Sequence, residues 1–595
     1  MARRQHNHNR TGRRRTAFLL VLCAVVFLLF LARLVQMQFF RAAEYAEKAA
    51  AASTTVYQTA VPAARGVITD RNGQVLAQDE TVWDVQLVVP APTGTDLTDT
   101  VQTLQTLLGG KDVETQLAAF CSAVSAGELT VAREISTEQQ AALAKAGLLQ
   151  SGAVRLSARA RRSWPDGTLA PHLLGLVGPM DADQWAARRE DGLAMDAEIG
   201  QSGLESVYED LLRGIPGSRT VAAKRSGAAA VTETAATPGA ALELYLDADL
   251  QAVLRQALWN RMEELKAIAP AGKGREVRAG AAVAVEVNTG GILAAVSLPD
   301  YDLNTYRQDY AALAADATAP LTDRVCRGLY APGSAFKPAV AAAALTAGID
   351  PAATVSCTGT YRWFAGYQPG CLQYSHRGPV DLRTALQHSC NIYFYDVGRR
   401  LGVDTFSAMA RLLGLADDTG AELPAAEGRL TWTTDDNYQK GLTLMAAIGQ
   451  GNTAVTPLQL VTYAATLANL GRRPALHYAR QAVAADGTVV WKNEERFTTV
   501  EGGEPVFGPI RDGMTRMAQT LRVLREAPIP CAAKTGSPQL PAVMANGEHY
   551  TNSVLIGYAP ADDPEIAVAV VLEYGGGGAN AAPVLRAVLD WMATR

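Results

Sequence analysis

Cysteine is scarce in this chain: seven residues in 595, one of them, Cys23, inside an apolar run. That number excludes a small disulfide-stapled scaffold, whichever pairs the other six form. Net charge is small as well. Lys and Arg number 54 against 59 Asp and Glu, a formal −5, so the chain lacks the excess that steers whole molecules onto nucleic acid, and no nucleic-acid partner is expected. No internal repeat and no long low-complexity segment occur, and only one apolar run approaches the length of a membrane span. What remains is an ordinary globular mixture, 48% apolar and 19% charged, long enough for two or more domains.

The first fifteen residues hold Arg3, Arg4, Arg10, Arg13, Arg14 and Arg15 and no acidic residue. Ala17 to Ala32 follows without a charge. Arg33 can snorkel, and Leu34, Val35, Met37, Phe39 and Phe40 carry the apolar character towards the roughly 20 residues that a bilayer requires. Residues 17–37 are therefore expected to be a single transmembrane anchor. The positive-inside rule makes residues 1–16 a cytoplasmic tail and exports the rest. A cleaved secretory signal is the alternative, but Arg33 and the bulky Met37, Phe39 and Phe40 stand where small residues would be needed.

Past the span, Arg41 to Ala51 reads as a polar helix. Gly66 to Asp70 reads as a strand turning at Arg71-Asn72-Gly73 into a return strand from Gln74, because Asn-Gly tolerates the positive φ of a tight turn. Thr95 to Gln150 reads as mostly helical from its three- and four-residue apolar spacing. Ser226 to Ala240, rich in Ala, Thr and Gly, is either a linker or a hairpin. Further on, Asp247 to Met262 reads as a helix. Ala281–Val287 and Gly291–Ser297 read as strands around Asn288-Thr289-Gly290-Gly291, and Ser553–Tyr558 and Glu565–Glu573 as two more strands before a closing helix, Ala582–Met592. Strands at both ends with helices between them imply an antiparallel sheet covered by helices, an α+β class.

Three short motifs carry the chemistry. In Pro332-Gly333-Ser334-Ala335-Phe336-Lys337, Ser334 is expected at a helix N-terminus with Lys337 one turn on, within reach. A serine needs a base to become nucleophilic, and a lysine whose pKa is lowered by burial or a neighbouring cation can be one. The helix end adds N–H groups for a developing oxyanion. Ser389-Cys390-Asn391 comes second and Lys534-Thr535-Gly536-Ser537 third. Taken singly, these are a chance pairing, a helix cap and a strand end.

Together, in this order, they resemble the signature of the penicillin-recognising acyl-serine transferases. Arg65-Gly66 with Asp70-Arg71-Asn72-Gly73, and Gly203-Leu204-Glu205 with Gly214-Ile215-Pro216-Gly217, resemble the pedestal of class B penicillin-binding proteins. Leu246-Asp247, Gly290-Gly291-Ile292 and Ile448-Gly449-Gln450-Gly451 resemble their transpeptidase domain, although Ser537 stands where threonine is usual. The resemblance implies an elongated α/β pedestal of the dimerisation type at 41–240. It implies a transpeptidase domain of serine β-lactamase-like fold, a central antiparallel sheet flanked by helices, at 241–595.

It also implies a reaction. Ser334 attacks the penultimate carbonyl of a D-alanyl-D-alanine stem peptide while neutral Lys337 takes its proton, and the acyl-enzyme passes to an amine of a neighbouring strand. Ser389 relays a proton to the leaving D-alanine, Asn391 bonds the substrate amide or Lys337, and Lys534 supplies positive potential. Thr535 and Ser537 hold the terminal carboxylate, Gly536 lies between them, and the N–H groups of Ser334 and Ser537 form the oxyanion hole. β-Lactams would acylate Ser334, and no cofactor is needed for catalysis.

Cys357, Cys371, His376 and Cys390 make a tetrahedral zinc set by residue type, and the resemblance places a metal site of the elongation branch in this loop. A Cys357–Cys371 disulfide, or plain buried cysteines, are the other readings. Rival functions are a D,D-carboxypeptidase or β-lactamase, a β-lactam sensor, and a non-catalytic scaffold. The pedestal argues against the first pair, the short tail against the second, and the intact motifs against the third. No polymerase segment precedes the pedestal, so a membrane glycosyltransferase partner is expected, and no appended repeats are expected after the last helix.

Overall fold

The computed structural model describes residues 2–45, 48, 54–61, 63–92, 95–109, 112–123, 127–191, 193, 197–224, 229–371 and 376–595. An N-terminal helix, Ala2–Val35, runs into a π-helical turn, Gln36–Phe40. Arg15–Phe40 is long and apolar enough to cross a membrane, and its Phe27, Leu29 and Phe30 side chains are exposed, as lipid-facing side chains would be. Of the expected polar helix after it, only Arg41–Tyr45 and Lys48 are described; the remainder lies outside the described residues.

Strands Thr54–Val61, Gly217–Lys224 and Ala229–Thr234 form an antiparallel ribbon, so the Ala/Thr/Gly-rich stretch supplies the return strand of a hairpin. A second sheet contains the expected Asn-Gly turn. Ile68–Thr69 returns through it into Val75–Val89, with Gly73 at φ +84°. The Asp70 carboxylate accepts from the N–H groups of Asn72 and Gln74 at 2.8 Å each, and from that of Ala248 at 3.1 Å. This turn is thereby anchored to a helix some 175 residues later, well outside any local code.

The stretch from 95 to 150 differs from the helical expectation. Helices Leu97–Leu107, Val113–Ala123 and Thr137–Lys145 are present, but Gly127–Ala132 is a strand paired with Val75–Val89. Six residues carry only a weak period-2 signal, and the pairing that stabilises them lies some 40 residues upstream. Val131 and Ala132 join Val85, Leu87, Leu104 and Val154 in a separate small core.

The C-terminal half is built on an antiparallel sheet of β1 (Ala279–Glu286), β2 (Ile292–Leu298), β3 (Ala532–Gly536), β4 (Ser553–Ala559) and β5 (Ile566–Glu573), in the order β2-β1-β5-β4-β3. Both faces are buried: Val283 and Val285 point into one core, Ala282 and Ala284 into the other. Helices α1 (Ala248–Ile268) and α5 (Ala582–Met592) cover one face. Helices α2 (Lys337–Thr346), α3 (Asn391–Leu401) and α4 (Pro457–Ala468) cover the other. The expected α+β architecture is present, with one addition. Ala241–Leu244 pairs with Ile68–Thr69 on one side and Ala479–Val483 on the other, so a single sheet crosses position 240 and the two halves share a core.

Candidate active site

Gly333, at φ +55°, bends the chain after Pro332, and residues Gly333–Phe336 form a 3-10 turn from which α2 continues. Ser334 thus sits in the turn, half-buried, and Lys337 is the first residue of the α-helix. Pro338 suits that first turn because its missing N–H would have no intrahelical partner there. Two glycine-bearing segments close on this turn. Gly333 N–H donates to Gly449 O at 2.9 Å, and a Cβ on Gly536 would come within 2.1 Å of Pro332 O. The three motifs, scattered over some 200 residues, meet here.

The alanine-rich helix α2 is buried from Lys337 to Ala344, since small side chains let its neighbours approach closely. Lys337 is fully buried with it. Its Nζ donates to Ser389 O at 2.7 Å, to Ser389 Oγ at 3.1 Å and to Asn391 Oδ1 at 2.7 Å. Burial pushes its pKa down to about 7, and the nearby Cys371 and Cys390 oppose that shift. Lys534, equally buried, donates to Ser389 Oγ at 3.0 Å and to Thr535 O at 3.0 Å. Its pKa falls well below the usual lysine value through burial first and the nearness of Lys337 second. The lowered basicity expected for Lys337 therefore arises chiefly from dehydration. Two amines converging on one hydroxyl accommodate little more than one positive charge between them.

Ser389 holds φ +54°, an unusual conformation for a residue with a side chain, imposed between a short helix, Leu382–Gln387, and α3. That kink turns its Oγ towards both lysines while Cys390 N–H donates back to Ala385 O. Asn391 faces two ways, accepting from Lys337 and donating through Nδ2 to Gly370 O at 3.2 Å. Lys534, Thr535 and Gly536 lie on β3, the edge strand of the main sheet, with Lys534 buried and Thr535 half-buried. Exposed Ser537 follows, its Oγ accepting from Gly578 N–H at 2.8 Å.

Cys357, Cys371, His376 and Cys390 converge too: their ligating atoms lie within 4.8 Å of one another and all four residues are buried. Cys371 Sγ stands 3.5 Å from His376 Nε2. No disulfide joins any of the cysteines, so the expected alternative of a Cys357–Cys371 bond is not realised. Three sulfurs and one imidazole nitrogen at this spacing fit a tetrahedral thiophilic ion. Sequence reasoning missed what surrounds the set. His388 stacks on His376 with centroids 5.5 Å apart, and Tyr361 bonds Asp396 and Arg399 of α3, tying the loop down. No local pattern marks those contacts, because each depends on how the loop packs on α3.

Comparison with known proteins agrees with this geometry. Residues 280–590 match the penicillin-binding protein transpeptidase domain and residues 60–244 the penicillin-binding protein dimerisation domain. The peptidoglycan D,D-transpeptidase MrdA of Acinetobacter baumannii is 30% identical over 567 residues, covering 90% of this chain and 81% of that protein. MrdA of Escherichia coli K12 is 27% identical over 571 residues, covering 88% and 86%. Among solved structures, a chain of a peptidoglycan synthase complex aligns with TM-score 0.72 at 29% identity, covering 97% of each chain. The Helicobacter pylori penicillin-binding protein PBP2, solved with MreC, shares the fold with TM-score 0.74 at 23% identity, over 91% of this chain and 99% of that one. The chain accordingly belongs to the class B penicillin-binding proteins, the serine-type peptidoglycan D,D-transpeptidases.

Proposed function

We propose that this chain cross-links peptidoglycan through an acyl-enzyme on Ser334, as an elongation-type member anchored by one N-terminal helix. The observation that carries the assignment of roles is the Lys337–Ser389–Lys534 cluster beside the Ser334 turn. Neutral Lys337 removes the Ser334 hydroxyl proton as Oγ attacks the penultimate D-alanyl carbonyl. Ser389, bonded to both amines, passes a proton on to the departing D-alanine nitrogen. The oxyanion meets the backbone N–H groups of Ser334 and Ser537. Thr535 and Ser537 receive the terminal carboxylate near Lys534, with Gly536 keeping β3 close to the Ser334 turn. Attack by a neighbouring stem-peptide amine then releases Ser334 and forms the cross-link.

Residues 1–16 are assigned to a cytoplasmic tail, 17–37 to the anchor, 41–240 to the pedestal and 241–595 to the catalytic domain outside the membrane. Strand polymerisation falls to a membrane glycosyltransferase, in keeping with the relative solved within a synthase complex. The relative solved with MreC makes a protein of that kind a second candidate partner. The serine chemistry needs no cofactor. We assign Cys357, Cys371, His376 and Cys390 to a structural zinc ion, since four protein ligands leave no open position for water. Its contribution would be to fix the loop that presents Gly370 to Asn391.

A fluorescent penicillin applied to the full chain tests the reading. The wild type becomes covalently labelled and Ser334→Ala does not; persistent labelling of the alanine variant overturns the assignment of the nucleophile. Rapid turnover of penicillin, in place of a lasting adduct, would favour a hydrolase.

A further inference from the structure

The tip of one active-site loop has no part in the acyl-transfer steps. Residues 359–371 fold back on themselves, with Tyr361 N–H donating to Pro369 O and Cys371 N–H to Gly359 O, both at 2.9 Å. One limb lies along α3. Asn391 Nδ2 donates to Gly370 O at 3.2 Å, the Tyr361 ring packs on that of Tyr395 with centroids 5.9 Å apart, and Arg399 Nε donates to Tyr361 Oη at 2.8 Å. Residues 391, 395 and 399 make one ridge of the helix, so the loop follows α3 outward from the motif for about 12 Å. At its far end the Arg399 guanidinium lies 3.6 Å from the centre of the Trp363 indole. The other limb is pinned as well. Tyr367 Oη donates to Met445 Sδ at 2.7 Å, in the helix Leu442–Ala447 that leads to Gly449, the partner of Gly333.

What is pinned is also exposed. Trp363 is 60% exposed and Tyr367 38%. Arg362 is exposed too and has no ion-pair partner among the described residues. No Asp or Glu occurs from 351 to 380, so nothing within this segment offsets its charge. An indole already held in place loses little freedom on binding, and Trp, Tyr and Arg are the residues on which recognition surfaces concentrate their energy. Such a surface fits an anionic peptide, with aliphatic parts on the indole and a carboxylate on Arg362. The course of the reaction selects which peptide. The donor's terminal carboxylate belongs to Thr535 and Ser537 on β3. The incoming amine replaces the departed D-alanine nitrogen and returns its proton through Ser389. It therefore enters beside the motif on which this loop is packed.

We propose that the loop tip, through Trp363 and Arg362, is the docking surface for the acceptor stem peptide, whose amine attacks the acyl-enzyme. This rests on the transpeptidase reading above and assigns the acceptor side of that same site. In the attack the amine nitrogen bonds the acyl carbon and the bond from that carbon to Ser334 Oγ breaks. The amine proton passes through Ser389, and Ser334 Oγ regains its own. The 12 Å or so between Asn391 and the Trp363 platform equals roughly four residues of extended peptide. A short peptide with its amine at the catalytic cluster thus reaches the tip.

The test uses the full chain in detergent with a small thioester donor, N-benzoyl-D-alanyl-thioglycolate, and reads the ratio of amide product to hydrolysed acid. The acceptors are L-alanyl-γ-D-glutamyl-meso-diaminopimelate, its L-lysine counterpart, and D-alanine, which is too short to reach the tip. With the peptide that the wild type uses better, Trp363→Ala is expected to lower the ratio about fivefold or more, and Trp363→Phe to recover most of it. Arg362→Gln, at an exposed position, is expected to lower the ratio for that peptide and not for the same peptide with its carboxylates amidated. The ratio with D-alanine should stay as it is in the wild type. The proposal is overturned if neither Trp363→Ala nor Arg362→Gln changes the peptide ratio, or if the wild type transfers to neither peptide. An equal loss with D-alanine also overturns it, because the loop then shapes the catalytic cluster. So does slowed acylation by the thioester at an unchanged ratio, because the surface then serves the donor. Penicillin labelling of the same samples separates the two readings. A chain that acylates without depending on the tip loses only the acceptor assignment, and a chain that does not acylate loses both.

Discussion

Lys337 and Lys534 share one acceptor: the hydroxyl of Ser389 lies 3.1 Å from the first Nζ and 3.0 Å from the second. Three groups from three distant segments therefore form one hydrogen-bonded unit, and in the proposed mechanism its charge state governs the nucleophile. The pKa of Lys337 is depressed to about 7, and only the neutral amine can act as base. Acylation by penicillin should rise with pH, with a midpoint near that value, and level off above it. At pH 5.5 the neutral fraction, and so the rate, falls by about thirtyfold. A stopped-flow series of acylation rate against pH checks this, and a flat profile from pH 5 to 8 would refute the role of Lys337.

Asn391 offers a way to separate positioning from chemistry. Its Oδ1 holds Lys337 at 2.7 Å and its Nδ2 holds Gly370 O at 3.2 Å. Replacing it by alanine frees Lys337 from one of its three acceptors. The expected loss is about 1.5–3 kcal/mol for a hydrogen bond to a charged or buried group, or about ten- to a hundredfold in acylation rate. The thermal midpoint should move little, and the pH midpoint should shift because the surroundings of Lys337 have changed.

How much of this was legible in the sequence differs from place to place. The Ser334, Ser389 and Lys534 motifs could be read because the chemistry demands particular side chains at fixed local spacing. The Asn72-Gly73 turn and the closing helix Ala582–Met592 could be read because turn chemistry and helical periodicity are local. The strand Gly127–Ala132 could not, since its partner Val75–Val89 is remote and the stretch around it is rich in helix formers. Nor could the lowered proton affinity of Lys534, which follows from its complete burial first and the nearness of Lys337 second. The Cys357, Cys371, His376 and Cys390 set lay between: residue types suggested it, and only the fold brings the four side chains within 4.8 Å.

That cluster makes a prediction about metal content. The Cys390 thiol is pushed up by donating its S–H to Cys371 first and by burial second, so without an ion it stays protonated. Zinc binding must then release protons and weaken as pH falls. Purified protein should hold one zinc per chain by elemental analysis. Cys371→Ser should lower that content and slow acylation, because the ligand is next to Gly370. Full acylation in a zinc-free chain would show that the loop holds its shape unaided.

Gly536 allows a purely steric prediction. A Cβ there would meet Pro332 O at 2.1 Å, a backbone atom that cannot swing aside. Gly536→Ala should push β3 away from the Ser334 turn, displacing Thr535 and Ser537 from the nucleophile. A shift of this size costs about a hundredfold in acylation, with far-ultraviolet circular dichroism unchanged. A variant that labels normally would show that the strand moves freely against the turn.

Glu205 extends the argument to the pedestal. Its buried carboxylate accepts from Arg65 Nε at 2.5 Å and from Arg162 Nε at 2.6 Å, while Arg65 also meets Glu209 at 2.7 Å. These residues come from three segments far apart in sequence, and each charge is tolerated inside the protein only because the others neutralise it. Glu205→Gln keeps the shape and removes the charge, leaving two guanidinium groups facing an amide that can satisfy one of them at most. Breaking a buried network in this way costs about 3–5 kcal/mol. The denaturant midpoint of the full chain should fall accordingly, and the pedestal should become the first part cut in limited proteolysis. Ser334 acylation at low temperature should persist, because none of these groups approaches the catalytic cluster. If Glu205→Gln instead abolished acylation in a chain that remained folded, the ion network would have to be counted as part of the path between pedestal and active site.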